Sequence, residues 1–305
     1  TSLWFAVNAV MPDLQRELGW PATAVGTLTS ALQAGFILGT LVFALLAIAD
    51  RFPARRVFLF CALAGAGCTV AAWAMVTSFP ALLGWRFATG FCLAGIYPVG
   101  MKIASQWYTR GLGPALGMLI GALVLGSASA HALRALGDGL PWPTLMLGVA
   151  ALAAFGGVLL YAALPEAPHA VARVSTLQWR ALAAIGTDAK VRSSVLAYFG
   201  HMWELYTLWV LMPLILATRL QGTAVSWAAF WLLGAGVLGC VVGGLLAPRF
   251  GSARVAGTQL AASGLCCLLA PWLIGAPDAL FYAWLLVWGI TVSGRSEERR
   301  VGKEC

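Results

Sequence analysis

Ala49-Asp50-Arg51-Phe52-Pro53-Ala54-Arg55-Arg56-Val57 and Ala247-Pro248-Arg249-Phe250-Gly251-Ser252-Ala253-Arg254-Val255 are two versions of one pattern. Ala, Arg, Phe, Arg and Val recur in register, 198 residues apart. Each stretch is a short basic interruption between long apolar runs. A basic loop that returns at the same place in a second series of apolar runs points to a duplicated membrane unit. Six apolar runs separate the two copies, so the halves are expected to be parallel repeats of six helices. That arrangement belongs to transporters whose site lies between the halves at mid-membrane.

The composition around these loops has one physical solution. Of 305 residues, 61% are hydrophobic and 10% charged, against about 25% charged in a soluble domain. A bilayer accepts helices that are apolar all round. The net charge of +8 is spread singly between apolar runs, which fits membrane topology and not nucleic-acid binding. Cys61, Cys68, Cys92, Cys240, Cys266 and Cys267 lie inside apolar runs without C-x-x-C spacing, so they read as small packing residues. No metal site and no cofactor are expected.

About ten apolar stretches follow one another. Span 1 is the short stretch 1–12, which looks cut at its start. Spans 2 to 6 fall near 23–49, 57–78, 79–101, 114–136 and 142–164. A polar linker, 165–192, precedes spans 7, 8 and 9 near 193–217, 223–247 and 255–275. Span 10 runs from about 279 to 294, roughly 24 Å of helix against a core of about 30 Å. The expected domains are therefore residues 1–164, the linker 165–192 and residues 193–294. Before the tail, one set of loops carries eleven Lys and Arg and the opposite set three, namely Arg16, Arg134 and Arg219. The positive-inside rule puts the eleven in the cytoplasm, together with the missing start and the linker. An inner (cell) membrane protein is expected. Trp20, Trp107, Trp142 and Trp179 stand at or beyond span ends, as interfacial aromatics do.

Several motifs resemble those of the major facilitator superfamily over residues 1–294. Asp50, Arg51, Arg55 and Arg56 match its loop after span 2, Gly-x-x-x-Asp-Arg-x-Gly-Arg-Arg, with Leu46 in place of the first Gly and Pro53-Ala54 in place of the second. Arg86, Thr89 and Gly90 match the span 4 pattern Arg-x-x-Gln-Gly, with Thr for Gln. Residues 93–102 and 200–206 are similar to one branch of that superfamily. The resemblance implies an all-α fold of two six-helix bundles with about ten of twelve helices present. It also implies a central cavity lined by spans 1, 4, 7 and 10. The loop Asp50, Arg51, Arg55, Arg56, with Arg249 and Arg254 in its second copy, is then implied to be a charge latch between the cytoplasmic ends of the halves. The glycine series Gly113, Gly117, Gly121 and Gly126 does not end in the Gly-Pro of the family's exporters, which argues against a drug–proton antiporter.

Ionisable groups within the hydrocarbon are costly and normally face the bundle interior or water. Arg86 lies about 10 Å from the end of span 4 at 1.5 Å per residue. Glu204 is near the middle of span 7, and His201 is three residues away on the same face. Glu204 and Arg86 differ in depth by roughly 10 Å, so no direct pair is expected. Glu204 is the candidate proton- or substrate-binding carboxylate with His201 as its neighbour; Arg86, Tyr97, Tyr206, Asn8 and Gln33 are further cavity candidates. The plain alternative for Arg86 and Glu204 is hydrogen bonding that stabilises the bundle. His131 and Lys102 sit near span ends and can reach the interface. Gly234-Ala235-Gly236-Val237-Leu238-Gly239 fits G-x-G-x-x-G but lies inside an apolar span, where close helix packing explains it better than phosphate binding.

The expected function is secondary active transport of a small solute or ion by alternating access, with the bilayer and protons as further partners. A drug or metabolite exporter of the same fold and a non-transporting membrane sensor are the alternatives. Neither H-E-x-x-H nor G-x-S-x-G is present, so no membrane enzyme is indicated. Residues 295–305 carry seven charges in eleven residues and resemble the translation of a sequencing adapter; they are expected to be non-native. The orientation is tested in the full-length protein, stripped of native cysteines, with Ser175→Cys or Asp278→Cys. An impermeant thiol reagent applied to intact cells is expected to label position 278 and not 175; the reverse pattern would invert the topology.

Overall fold

The computed structural model describes residues 2–21, 23–108, 111–137, 141–165 and 186–294. The tail 295–305, most of the 165–192 linker and Arg110 lie outside the described residues. All regular structure among the described residues is helical, which satisfies the backbone within each span where lipid offers no hydrogen-bond partner. Span 1 is a 3-10 turn, Ser2–Trp4, followed by Ala6–Leu18. Span 2 is Ala24–Leu45, with a further turn Ile48–Arg51. Span 3 is Ala54–Ala74, and span 4 is Phe79–Leu93 plus Tyr97–Trp107. Spans 5 and 6 are Leu112–Leu136 and Trp142–Ala163. Span 7 is Ala189–Leu216, span 8 Thr223–Gly234 plus Gly236–Phe250, span 9 Ser252–Leu273 and span 10 Asp278–Ser293.

Eight of these stretches are long and apolar enough to cross a bilayer, and span 10 is a shorter apolar helix. The ends follow local chemistry. Gly19 closes span 1 in the left-handed conformation at φ 67°, where glycine alone is free of strain. Ser78 caps span 4 by accepting from the Ala81 amide, with Pro80 in the first turn. Span 7 starts four residues before position 193, because Asp188 accepts from the Val191 amide and extends the helix toward the linker. Span 4 also continues past position 101, after a break at 94–96. That break places Gly95 against Cys61, so closely that a Cβ there would overlap the sulfur.

The repeat seen in the loops extends to the helix boundaries. Spans 1 and 7 end at Leu18 and Leu216, and spans 3 and 9 begin at Ala54 and Ser252, in each case 198 residues apart. Spans 2 and 8 begin at Ala24 and Thr223, and spans 4 and 10 at Phe79 and Asp278, in each case 199 apart. The packing repeats as well. Span 2 lies along span 4, and span 8 along span 10. A Cβ on Gly90 would fall on the Leu32 carbonyl, and one on Gly289 would fall on the Leu232 carbonyl. Gly39 meets the Phe91 backbone as Gly239 meets the Ile290 carbonyl. The G-x-G-x-x-G run is thus a packing surface, with Gly236 and Gly239 both against span 10.

The two halves meet along spans 5 and 8, where Gly117 approaches the Cys240 carbonyl and Gly244, and Gly121 approaches Val237. Ile37, Phe60, Phe155, Trp231, Leu268 and Trp272 are exposed, as suits helices whose outer faces meet lipid. At the end opposite the basic loops, Arg134 and Arg16 both pair with Asp13, at 2.7 and 3.1 Å, and Trp142 Nε1 donates to Glu17 at 2.7 Å. Arg219 there pairs with Asp278 at 2.5 Å and lies over the Phe281 ring.

The close crossings predict that Gly90→Ala will lower the thermal midpoint of the purified full-length protein, since forcing an atom into a filled contact costs about 1–3 kcal/mol. Gly67 has open space at its Cβ position, so Gly67→Ala should not lower the midpoint. Equal midpoints for the two variants would contradict the crossing.

Candidate functional site

Arg86 sits on the buried face of span 4 with Leu82, Thr89, Gly90 and Leu93. Its partners arise from a local irregularity in span 1. The 3-10 turn Ser2–Trp4 gives way to α-helix through Phe5, at φ −110° and ψ 15°. Arg86 Nη1 donates to the Leu3 carbonyl at 3.0 Å and Nη2 to the Trp4 carbonyl at 2.6 Å. The guanidinium is 1% exposed, and it has no carboxylate partner among the described residues. Its Nε has no hydrogen-bond partner there either.

Trp4 and Phe5, held by this contact, meet span 7 of the other half. The Trp4 ring stacks on Tyr206 of span 7 at 5.4 Å and tilts against Phe36 of span 2 at 4.8 Å. Phe5 packs on Trp209 at 5.3 Å. Gln33 is one turn from Phe36, and its Nε2 is buried without a partner among the described residues. The indole nitrogens of Trp4 and Trp209 are in the same condition. Further along span 1, Asn8 Nδ2 donates to Thr29 Oγ1 at 3.1 Å. Arg86, Tyr206 and Gln33 thus lie about the Trp4–Phe5 contact on spans 4, 7 and 2, Asn8 lies a turn further along span 1, and Tyr97 lies half-buried at the start of the second segment of span 4.

Glu204 belongs to different surroundings. Its carboxylate accepts from Trp288 Nε1 at 3.2 Å and Ser263 Oγ at 3.4 Å, with Cys267 Sγ at 3.5 Å. Those donors are on spans 9 and 10. Two residues on, Tyr206 points to the opposite side of the helix, toward span 1. His201 is buried one turn from Glu204. His131 is buried in span 5.

At the basic end, Asp50 is paired with Lys102, whose Nζ also donates to the Ala49 carbonyl at 2.7 Å. Arg55 donates to the Leu164 carbonyl at 3.1 Å and lies over the Tyr161 ring. These contacts join the loop to spans 4 and 6 of its own half. Arg51, Arg56, Arg249 and Arg254 are exposed, and so are the two Phe of the repeated loops, Phe52 and Phe250.

Sequence reasoning did not single out Trp4, Phe5, Trp209, Ser263 or Trp288 as site residues. An aromatic or a serine in an apolar span gives no contrast against its neighbours, and the irregular start of span 1 leaves no mark in residue type.

Known proteins resemble the chain across nearly its whole length. A profile of the Major Facilitator Superfamily matches residues 1–294. A chloramphenicol resistance protein of Streptomyces lividans is 30% identical over 252 residues, covering 80% of this chain; the match spans 63% of that relative's length. Among solved structures, a proton:xylose symporter, XylE, bound to 6-bromo-6-deoxy-D-glucose superposes with a TM-score of 0.65 at 13% identity, over 97% of this chain and 77% of the other. The partially occluded inward open form of the xylose transporter from E. coli gives 0.65 at 13%, over 96% and 81%. At that identity the likeness speaks to fold.

The Arg86 contacts predict a stability effect separate from any transport effect. Arg86→Met strands two buried carbonyls and should cost about 2 kcal/mol or more, seen as a lowered thermal midpoint. Arg16, whose side chain is 75% exposed, should tolerate Arg16→Met without change. An unchanged midpoint for Arg86→Met would remove the structural role.

Proposed function

This chain belongs to the major facilitator superfamily, a family of membrane transporters and not of enzymes, and we propose that it moves a small solute by alternating access with proton coupling through Glu204. The observation that carries the reading is the division of polar groups about span 7. One face of span 7 packs its aromatic side chains on span 1 across the junction of the halves. Another face holds a half-buried carboxylate among donors from spans 9 and 10. Solute and proton then use separate faces of one helix, and that helix belongs to the half that rocks against spans 1 to 6.

Coupling requires a carboxyl that takes up and releases a proton in each cycle. Trp288 Nε1 and Ser263 Oγ donate to the Glu204 carboxylate, which places it within reach of groups on two other spans of its half. In this reading the protein lies in the cell membrane with the basic loops and the 165–192 linker in the cytoplasm. The likeness to a resistance protein of Streptomyces lividans supports a second reading, a drug or metabolite exporter of the same fold.

Glu204→Gln tests the coupling. In proteoliposomes of the full-length protein, the variant should lose proton-driven accumulation at least about tenfold, the effect of some 1.4 kcal/mol, while keeping counterflow exchange. Wild-type accumulation with an unchanged pH profile would exclude the coupling role. Loss of folded protein would assign Glu204 to bundle stability instead.

A further inference from the structure

Three donor groups in the layer between the halves lack acceptors. Trp4 Nε1, Trp209 Nε1 and Arg86 Nε are each buried without a hydrogen-bond partner among the described residues. Their residues are 2%, 3% and 1% exposed. None of these nitrogens can accept a hydrogen bond, so rotation or tautomer choice offers no escape. The fourth such group, the Gln33 amide, is a donor as placed. Native proteins rarely leave a buried donor unpaired, because its lost hydration goes uncompensated.

The charge is as one-sided as the hydrogen bonding. Arg86 is held by two neutral carbonyls, and uncompensated buried charge is costly. The carboxylate of Glu204, in the neighbouring span 7, is engaged by Trp288 and Ser263 on the other side of that helix. The layer thus has buried donors and a cation beside packed rings, Trp4 stacked on Tyr206 and Phe5 tilted against Trp209. These groups are linked by direct contact: Arg86 to the Trp4 backbone, Trp4 to Tyr206, Tyr206 to Phe5 and Phe5 to Trp209.

We infer that this layer binds the transported solute as an organic monoanion with a flat apolar body, its anionic group taking the donors of Trp4, Trp209 and Arg86 while the body lies on the rings. A carboxylate supplies about four lone-pair positions, enough for all three donors. The rings supply flat apolar area, and an edge or face contact with a second ring adds to the gain from burial. A cationic solute would meet Arg86 with like charge. A proton carried on Glu204 would offset the charge of the anion in transit. The inference rests on the transporter reading for the word solute, but the binding it states is measurable without transport.

The test uses purified full-length protein in detergent and three matched series of probes: benzoate, phenylacetate and hydrocinnamate; their primary amides; and benzylamine, phenethylamine and phenylpropylamine. Thermal midpoint and tryptophan fluorescence are read against probe concentration. At least one carboxylate should raise the midpoint in a saturable way, its amide less, and the matching amine not at all. Trp209→Phe and Trp4→Phe keep the ring and remove the N–H. Each should weaken that carboxylate about tenfold, the scale of one hydrogen bond to a charged group. If Trp4→Phe fails to fold, Trp209→Phe alone decides the site. An amine that binds as well as its carboxylate, no carboxylate that binds, or carboxylate binding untouched by Trp209→Phe would each overturn the inference. Counterflow of neutral or cationic tracers in the same preparation separates the two readings. Counterflow without carboxylate binding defeats this inference and leaves the transporter reading standing; absence of all counterflow with carboxylate binding intact defeats only the transporter reading.

Discussion

Backbone contact between crossing helices is the constraint on which this architecture depends. In lipid there is no hydrophobic drive to bring apolar helices together, so dispersion at close range and interhelical hydrogen bonds must do it. Spans 2 and 4 reach that range because Gly90 presents bare backbone to the Leu32 carbonyl. Spans 8 and 10 reach it through Gly289 and Leu232. Once span 4 is fixed against span 2, Arg86 has a defined height and direction. Arg86 then fixes the start of span 1, and span 1 carries the aromatic pair that meets span 7. The aromatic contact between spans 1 and 7 is therefore the last link of a chain of contacts that begins with missing side chains.

Polar interactions follow a consistent division of labour. At both membrane faces they brace one half internally: Asp13 with Arg134, Arg219 with Asp278, Asp50 with Lys102. Between the halves, glycine faces meet along spans 5 and 8 and rings meet along spans 1 and 7. Smooth apolar contacts can be displaced at less cost than a buried ion pair across the same junction. The braces tie helices together within each half.

The sequence makes the spans legible because charge and proline stand out in an apolar background, and the repeat is legible for the same reason. The loop copies at 49–57 and 247–255 differ by the spacing that the helix boundaries keep. Three breaks are not legible. Leu46-Ala47, residues 94–96 and Ala235 look like ordinary helix in composition, and the break at Ala47 even uses a positive φ at a non-glycine residue. Arg86 and Glu204 are easily singled out as charges in lipid, but their partners are not. Arg86 bonds to backbone carbonyls, which every residue carries. Glu204 shares a helix with Tyr206, and the helical period sets the angle between them without saying which neighbour each faces. Trp4 and Trp209 are two of fourteen tryptophans and gain meaning only from what surrounds their nitrogens.

The matching crossings have a consequence for biogenesis. Leu32 and Gly90 are both made before residue 100, and Leu232 and Gly289 both belong to the later repeat. Each decisive contact thus joins helices that emerge from the ribosome close together in time. At synthesis rates of about 5–20 residues per second, the first repeat is complete roughly 6 to 26 seconds before span 10 of the second is made. The early spans can lock against each other in the bilayer without waiting for later partners, which shortens the interval in which half-made helices are open to misassembly.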